Sequence, residues 1–162
     1  MSNLRVGTGF DVHAFTEGRP LILGGVAIEY PLGLKGHSDA DVLVHALMDA
    51  LLGAAAMGDI GMLFPDSDEA YRGADSIALL KEVYQRLCAG GWDIVNLDIV
   101  VMCEAPKLRP HIDAMKQCIS KALGDLDTGR IGIKGTTTEK LGFTGRGEGI
   151  AAQAVVLLEM SL

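Results

Sequence analysis

This 162-residue chain contains strand-like apolar segments that are followed, through much of its length, by segments with helical apolar spacing. That order of elements is the feature that most constrains the fold. The predicted helices carry apolar residues at helical spacing and are expected to cover one face of a sheet. We therefore predict an α+β domain, an α/β sandwich with one mixed sheet of four main strands. No element remains to cover the other sheet face, so we expect self-association into a homo-oligomer.

The bounds of the predicted elements follow from apolar periodicity and from glycine and proline positions. Main strands are expected at 4–10, 94–102, 130–134 and 149–160, and two short strands joined by a Gly-Gly turn within 20–28. Helices are expected from an N-cap at Ser38 to near Gly58, from 75 to 90, and from Pro110 to 123. The segments 31–36 and 59–68 are predicted loops, and residues 1–162 are predicted to form a single domain.

Composition narrows the class of protein. The formal net charge of −7 argues against a nucleic-acid partner, which would call for basic patches. Asp49 interrupts the best apolar run, so no membrane span is expected. Cys88, Cys103 and Cys118 form no C-x-x-C pair, and no signal or transit segment is recognised near the N-terminus. Both features favour the cytoplasm.

Asp11, His13 and His45 form the first candidate site. Asp11 and His13 are two residues apart at the end of the first predicted strand, so their side chains point to the same face. His45 lies on the next predicted helix. If that helix packs across the strand end, the three residues supply a carboxylate and two imidazoles, a set that suits zinc and leaves a fourth position for water or substrate.

The same three residues are also compatible with a chain that binds no metal. An Asp-x-His pair arises easily by chance, and a single histidine on a helix is more often packed or solvated than metal-bound. Asp41 and Asp49 lie four residues either side of His45, on the same helical face. Either carboxylate could hold the far ring nitrogen of a metal-bound His45, but plain helix-surface charge accounts for both equally well.

The segment 136–142 is the second candidate site. Thr136 and Glu139 have the spacing of a capping box at the start of a short helical turn. Alternatively, this junction presents N–H groups and hydroxyls to a phosphate while Glu139 binds a divalent cation. The glycine-rich segment 143–149 lacks the spacing of a P-loop, and a turn into the last strand accounts for it as well.

Five motifs occur in an order and at a spacing that point to a known family. Together they closely resemble those of the 2-C-methyl-D-erythritol 2,4-cyclodiphosphate synthases of the non-mevalonate isoprenoid pathway, from about residue 4 to about residue 160. The motifs are GFDVH (9–13), GHSD (36–39), GDIG (58–61), LFPD (63–66) and TTTEKLGF (136–143).

The resemblance implies a phosphorus–oxygen lyase. Members of the family cyclise 4-diphosphocytidyl-2-C-methyl-D-erythritol 2-phosphate: the substrate's 2-phosphate attacks the β-phosphorus, and CMP leaves. By resemblance, Asp11, His13 and His45 hold zinc or manganese. Glu139 is similar to the family residue that holds magnesium or manganese between the α- and β-phosphates.

The same resemblance implies the substrate contacts. His37 and Thr137 match residues that stabilise the transition state, and Ser38 matches one that orients phosphates. Contacts to the methylerythritol part are expected from Asp59, Gly61, Phe64, Pro65, Asp66, Ser67 and Asp68. The cytosine pocket is expected at Ala105, Pro106, Lys107 and Leu108. Thr136 and Thr138 complete the substrate-binding set, together with Asp11, His13 and Glu139.

Family members are homotrimers with active sites between neighbouring subunits, which implies that the uncovered sheet faces pack around a trimer axis. Phe143 and Arg146 match residues that line a cavity on that axis, where an isoprenoid diphosphate is expected to bind. For Arg146, a surface or interface salt bridge is an equally good interpretation.

Two other functions fit part of the pattern. A zinc phosphohydrolase would activate water with a general base, for which Asp66 is the one candidate, and would form linear phosphates. A non-enzymatic trimeric binding protein would hold a structural metal, but structural zinc sites normally have four protein ligands and only three are found here. The cyclase hypothesis accounts for the three ligands and for Thr137 with Glu139.

Overall fold

The computed structural model describes residues 3–65 and 67–161, which form a mixed sheet with helices packed against it. The strands are β1 (Leu4–Thr16), β2 (Leu21–Leu23), β3 (Val26–Ile28), β4 (Gly33–Leu34), β5 (Trp92–Met102), β6 (Ile131–Thr136) and β7 (Gly149–Met160). The helices are α1 (Val42–Ala54), α2 (Ile60–Leu63), α3 (Ser76–Ala89), α4 (Ile112–Ala122) and α5 (Gly142–Gly145). Among the described residues, none of the helices combines the length and the apolar character needed to cross a membrane.

The main sheet has the strand order β4-β1-β7-β5-β6. β7 pairs antiparallel with β1 on one side and with β5 on the other, and β6 lies parallel to β5. The predicted α+β architecture with a mixed sheet is confirmed, and the four long strands are the predicted ones. The fifth, β4, is a two-residue edge strand within the predicted loop 31–36. It forms because β1 continues past the predicted end, so that Phe15 and Thr16 pair with it.

Two glycines in β1 bring α1 unusually close to the sheet. A Cβ atom on Gly7 would lie 2.1 Å from the carbonyl oxygen of Ala50, and one on Gly9 would lie 2.0 Å from that of Ala46. Any larger residue would collide with the helix backbone, so only glycine permits this approach. The contact also holds His45, the neighbour of Ala46, against β1.

The sheet face opposite the helices is exposed in the single chain. Val6, Phe10 and Val12 on β1 are 71%, 57% and 38% exposed, and Val155 on β7 is 44% exposed. These residues lie on adjacent antiparallel strands, so their side chains form one apolar surface. Apolar surface of this kind is typical of a protein interface.

Helix α1 begins later than the sequence predicts. Its first residue is Val42 rather than one near Ser38, because the carboxylate of Asp41 accepts a hydrogen bond from the N–H of Val44 and caps the helix. The hydroxyl oxygen of Ser38 instead accepts a hydrogen bond from the N–H of Ala40 in the preceding loop. The predicted cap at Ser38 is therefore wrong.

The Asp41 carboxylate also ties the β2–β3 hairpin to α1. It is fully buried and accepts hydrogen bonds from the N–H groups of Gly24 at 3.0 Å and Gly25 at 2.7 Å. Burial raises the pKa of Asp41 to about 6, although the backbone hydrogen bonds oppose the shift. One side chain thus joins the start of the helix to a hairpin distant in sequence.

The predicted loop 59–68 contains a helical turn. Asp59 caps α2 by accepting a hydrogen bond from the N–H of Met62 at 2.8 Å. A four-residue helix is too short to show an apolar period, which is why the sequence pattern did not reveal it.

Candidate active site

Asp11, His13 and His45 converge at one point, which confirms that strand and helix meet there. Oδ2 of Asp11 lies 3.0 Å from Nε2 of His13 and 3.1 Å from Nδ1 of His45. The two ring nitrogens are themselves 3.1 Å apart. The three donor atoms therefore form a nearly equilateral triangle.

Hydrogen bonds behind the two imidazoles orient them toward this triangle. Nδ1 of His13 lies 2.8 Å from the carbonyl oxygen of Lys35. Because a carbonyl only accepts, Nδ1 carries the proton and Nε2 presents a lone pair to the triangle. Nε2 of His45 lies 3.1 Å from Oγ of Ser38 and 3.0 Å from Oγ of Ser76, so its Nδ1 faces the triangle.

The donor set fits a divalent metal ion. In a tetrahedral site with bonds of about 2.0–2.1 Å, ligand atoms lie about 3.3 Å apart, close to the spacing in the triangle. When both ring nitrogens present lone pairs they cannot hydrogen-bond to each other, and a cation would then satisfy all three donor atoms. Three protein ligands leave a coordination position for substrate, as in catalytic sites.

Asp11 is the permanent negative charge of this centre. Burial alone would raise the pKa of Asp11, but hydrogen bonds and charge from His13 and His45, which act when the ring nitrogens facing Asp11 carry protons, outweigh burial and hold that pKa well below its usual range. The pKa of His13 is raised, because the interaction with Asp11 outweighs the burial that lowers it. An ionised carboxylate is thus available to a cation throughout the physiological pH range.

A cavity of about 460 Å³ opens beside the triangle. The predicted site residues that line it are Asp11, His13, His37, Ser38, His45, Gly61, Phe64 and Pro65. Residues not predicted from the sequence also line it: Gly36, Met48, Ile60, Tyr71 and Leu79. Nε2 of His37 is buried and has no hydrogen-bond partner among the described residues, so it is available to a ligand.

The remaining described residues that were predicted to contact the methylerythritol part do not line this cavity. Asp59 is exposed and caps α2, and Asp68 is exposed and caps a short 3₁₀ turn at Glu69–Tyr71. Ser67 is exposed between them. Asp66, the candidate base of the hydrolase hypothesis, lies outside the described residues.

A second cavity, of about 420 Å³, lies beside the carboxyl ends of β5 and β6. Pro106, Lys107 and Leu108 of the predicted cytosine segment line it, together with Thr136 and Thr137. Ala105 precedes Pro106 through a cis peptide bond. The two cavities share no lining residue.

The turn that carries Glu139 does not form the capping box considered from the sequence. Glu139 has a positive φ of 53°, and α5 begins later, at Gly142, without a side-chain cap. The Thr137 hydroxyl donates to the Glu139 carboxylate at 2.7 Å. Glu104, in the segment that follows β5, accepts a hydrogen bond from the N–H of Thr138 at 3.0 Å and so holds the turn. Glu139 is left exposed.

Phe143 and Arg146 lie on and just after α5. Phe143 is 37% exposed, and Nε of Arg146 donates to the Glu148 carboxylate at 2.7 Å. The surface salt bridge considered for Arg146 is therefore formed within the chain. A role in an axial cavity stays a prediction.

The partners of His45 differ from the two carboxylates considered from the sequence. Asp41 caps α1, and Asp49 accepts a hydrogen bond from the N–H of Ile60 at 2.8 Å, so neither holds the far nitrogen. Ser38 and Ser76 contact that nitrogen instead. Ser76 is 31 residues away in α3, and no spacing in the sequence pointed to it.

Sequence comparisons place the chain among known enzymes. The profile of the YgbB family matches residues 4–159. A curated 2-C-methyl-D-erythritol 2,4-cyclodiphosphate synthase from Azoarcus sp. is 63% identical over 154 residues, which cover 95% of this chain and 94% of that protein. Another from Rubrobacter xylanophilus is 58% identical, with 100% and 99% of the two chains covered.

Solved structures agree with the sequence matches. The bifunctional IspDF from Campylobacter jejuni matches with a TM-score of 0.93 and 51% identity, over 97% of this chain but only 42% of that one. The CDP complex of IspF from Plasmodium falciparum matches with a TM-score of 0.87 and 33% identity, over 100% and 99% of the two chains. The chain therefore belongs to the YgbB family of 2-C-methyl-D-erythritol 2,4-cyclodiphosphate synthases, phosphorus–oxygen lyases of isoprenoid biosynthesis.

Proposed function

We propose that the chain cyclises 4-diphosphocytidyl-2-C-methyl-D-erythritol 2-phosphate to 2-C-methyl-D-erythritol 2,4-cyclodiphosphate in a metal-dependent reaction that releases CMP. An oxygen of the substrate's 2-phosphate forms a bond to the β-phosphorus, and the bond from that phosphorus to the α–β bridging oxygen breaks. The observation that carries the proposal is the triangle of Asp11, His13 and His45 beside a cavity. Family membership supports this choice of substrate, because the curated relatives are named for the cyclic product.

Two cation sites belong to this proposal. Asp11, His13 and His45 would hold zinc or manganese, and Glu139 would hold magnesium or manganese. When bound, the two ions would polarise the diphosphate and neutralise the charge that develops as CMP departs. The ionised Asp11 and the exposed Glu139 supply the negative charge that such cations need.

The side chains around the two cavities would bind and orient the substrate. His37 and Ser38 would donate hydrogen bonds to phosphate oxygens, and the buried, unpaired Nε2 of His37 supports this role. Thr137 would donate a hydrogen bond to a phosphate oxygen from the other cavity. These contacts would hold the 2-phosphate in line with the β-phosphorus. The methylerythritol contacts would come from Asp59, Gly61, Phe64, Pro65, Asp66, Ser67 and Asp68. The nucleotide contacts would come from Ala105, Pro106, Lys107, Leu108, Thr136 and Thr138.

A homotrimer with active sites between subunits is part of the proposal. The exposed apolar sheet face gives the chain a surface for such an assembly. The separation of the two cavities also supports it, because a substrate that reaches both kinds of site could bridge two neighbouring subunits. Nucleotide binding is supported by the CDP found in the Plasmodium falciparum structure.

Three further assignments complete the proposal. Phe143 and Arg146 would line a cavity on the trimer axis that binds an isoprenoid diphosphate, with Arg146 shared between that anion and Glu148. The reaction would take place in the cytoplasm, in line with the free thiols of the cysteines. Residues 1–162 would form one domain.

Phosphorus NMR tests the reaction directly. Purified protein is mixed with the substrate, zinc and magnesium, and the products are followed in time. CMP is expected to appear in step with a cyclic diphosphate. A linear diphosphate or free phosphate would contradict the proposal in favour of hydrolysis, and the absence of any reaction from a metal-loaded trimer would contradict enzymatic activity.

Metal dependence is tested by His45→Ala. Loss of one of three ligands should lower turnover by roughly 1000-fold or more while the trimer stays intact, since bound metal supplies several kcal/mol of transition-state stabilisation. His111→Ala is the matched control, because His111 lines neither cavity. Near-normal turnover by metal-depleted His45→Ala protein would exclude the mechanism.

A further inference from the structure

A serine and a carboxylate lie behind His45, on the side away from the metal centre. Nε2 of His45 is 3.0 Å from Oγ of Ser76, which is fully buried at the start of α3. The Ser76 hydroxyl donates a hydrogen bond to one carboxylate oxygen of Asp39. The backbone N–H of Ser76 donates to the other oxygen at 3.0 Å. Both donors of Ser76 are therefore directed at Asp39.

The Asp39 carboxylate determines where the protons lie in the hydrogen bonds between Asp39, Ser76 and His45. A carboxylate only accepts, so the single hydroxyl proton of Ser76 is committed to Asp39. The Ser76 oxygen then has only lone pairs for His45, and a hydrogen bond between them requires the proton on Nε2. Because a neutral imidazole has one N–H, Nδ1 then keeps a lone pair toward His13 and Asp11, although the Asp11 carboxylate, 3.1 Å from Nδ1, by itself favours a proton on that nitrogen. The contact with Ser76 is what opposes this effect of Asp11.

Ser38 does not impose the same constraint. Its hydroxyl oxygen lies 3.1 Å from Nε2 of His45 and accepts a hydrogen bond from the N–H of Ala40. Within the described part of the chain, its own proton is not committed to a carboxylate. The Ser38 hydroxyl is therefore compatible with either tautomer of His45.

Backbone hydrogen bonds around Ser76 and Asp39 join the loop before α3 to the loop before α1. The N–H of Gly73 donates to the carbonyl of His37 at 2.9 Å, and the N–H of Asp39 donates to the carbonyl of Ala74 at 3.1 Å. Together with the bonds from Ser76 to Asp39, these contacts fix the start of α3 against the loop before α1. Ser76 is thereby held in place against the ring of His45.

We propose that Ser76 and Asp39 are positioning residues that fix the tautomer and the orientation of His45, so that Nδ1 is kept ready as a ligand for a divalent cation. The inference rests on the metal-dependent function proposed above. Neither residue belongs to the ligand triangle or to the lining of the cavity beside it. Both act on the metal through His45.

The tautomer can be measured in the full-length wild-type chain after removal of metal by a chelator. Long-range proton–nitrogen NMR correlations, recorded at about pH 9, well above the usual imidazole pKa, distinguish Nε2–H from Nδ1–H. His45 is expected to carry its proton on Nε2. A proton on Nδ1 would overturn the proposal, and this result does not depend on the folding of any variant.

Zinc affinity, measured by competition with a chromophoric chelator, tests whether Ser76 and Asp39 strengthen metal binding through His45. Ser76→Ala should weaken zinc binding by about 10- to 100-fold, the range found when a group that orients a metal ligand is removed. Asp39→Asn should also weaken binding, since it replaces one accepting oxygen by a donor. Ser120→Ala is the matched control: this buried serine in α4 donates to the carbonyl of Leu126 at 2.6 Å and lines neither of the two cavities.

The outcomes separate this inference from the proposed function. Zinc affinity of Ser76→Ala equal to that of Ser120→Ala and of wild type would overturn the positioning role while the cyclase proposal stands. Wild-type protein that binds no zinc would overturn the metal-dependent function itself. If Ser76→Ala does not fold, the tautomer of the wild-type protein decides.

Discussion

Glu104 and Glu139 are two carboxylates at the turn after β6, and they differ in what they contact. Glu104 accepts hydrogen bonds from the N–H groups of Thr138 at 3.0 Å and Lys140 at 3.4 Å, so its charge is used within the chain. Glu139 is exposed and accepts from the hydroxyl of Thr137. Lone pairs remain on Glu139 for a cation, which supports the proposal of a second metal site there.

At the scale of single residues, we predict that Glu139→Gln changes the requirement for magnesium or manganese. Loss of the charged ligand should raise the magnesium concentration for half-maximal CMP release by roughly tenfold or more, since tenfold corresponds to only about 1.4 kcal/mol. The zinc content should stay near that of wild type. CMP release is followed over a magnesium titration, and zinc is measured by elemental analysis.

Glu104→Gln is the control for this prediction. It removes one negative charge from the same turn but keeps an oxygen that accepts from the N–H of Thr138. Its magnesium dependence is expected to resemble that of wild type. Equal shifts in the two variants would mean that the general charge of the turn, and not ligation by Glu139, sets the requirement.

Helix α1 and strand β1 form the packing unit that assembles the ligand triangle. The carbonyl of Ala46 lies where a side chain at Gly9 would begin, so the helix backbone rests directly on the strand. His45 is the residue next to Ala46, and Asp11 is two residues beyond Gly9 on the same face. The distance between helix and strand therefore determines whether the three ligands meet.

At the scale of elements we predict that Gly9→Ala disrupts both packing and metal binding. The new Cβ would lie 2.0 Å from a backbone oxygen, so the helix must move. The free energy of unfolding should fall by about 3 kcal/mol or more, at or beyond the upper end of overpacking effects. Denaturant unfolding and zinc affinity are measured together.

Gly53→Ala is the matched control within α1. A Cβ at Gly53 would be 4.0 Å from the nearest atom outside the helix backbone, the carbonyl oxygen of Thr8, which is ordinary contact. Replacing a glycine in a helix by alanine should stabilise the protein by about 0.5–1 kcal/mol. Similar stabilities for the two variants would contradict the proposed role of Gly9.

At the scale of the whole molecule, the exposed face of the main sheet is the feature that calls for a partner. Val6 is 71% exposed on this face, and Val155 is 44% exposed on the neighbouring strand. The opposite face is buried under the helices, with Leu43, Leu47 and Leu51 of α1 fully buried. The sheet is covered by helices on one face only, and other copies of the chain can cover the second face.

We predict that Val6→Asp converts the proposed trimer to monomers. A carboxylate buried in an apolar interface would lose its hydration without gaining a partner, which costs several kcal/mol. Light scattering at several protein concentrations should show the mass of a single chain, and CMP release should fall with it. The metal triangle lies on the other face, so zinc binding by the monomer is expected to persist.

Ala78→Asp is the control for the oligomer. Ala78 is exposed on α3, on the helix side of the sheet, so the same charge is added away from the proposed interface. Its mass should equal that of wild type. A wild-type chain that is already monomeric, or a Val6→Asp chain that keeps the wild-type mass, would exclude assembly through this face.

Local pattern was sufficient for much of the fold. The last strand was predicted at 149–160 and is found at Gly149–Met160, and the second long helix was predicted from 75 and begins at Ser76. Alternation in β1 placed Asp11 and His13 on one face, and that is where they are. Periods of two and 3.6 residues are properties of neighbouring residues, so a single chain read in order reveals them.

Contacts between distant segments were decided by the tertiary structure. Asp41 caps α1 in place of Ser38, and the same carboxylate is also held by the Gly24–Gly25 turn. Ser76 reaches His45 across 31 residues, and Glu104 reaches Thr138 across 34. The sequence by itself determined which residues could be ligands and on which elements they lie. Only the packing of α1 on β1, and of α3 behind it, decided what orients those ligands, because hydrogen bonds depend on distances that no local pattern specifies.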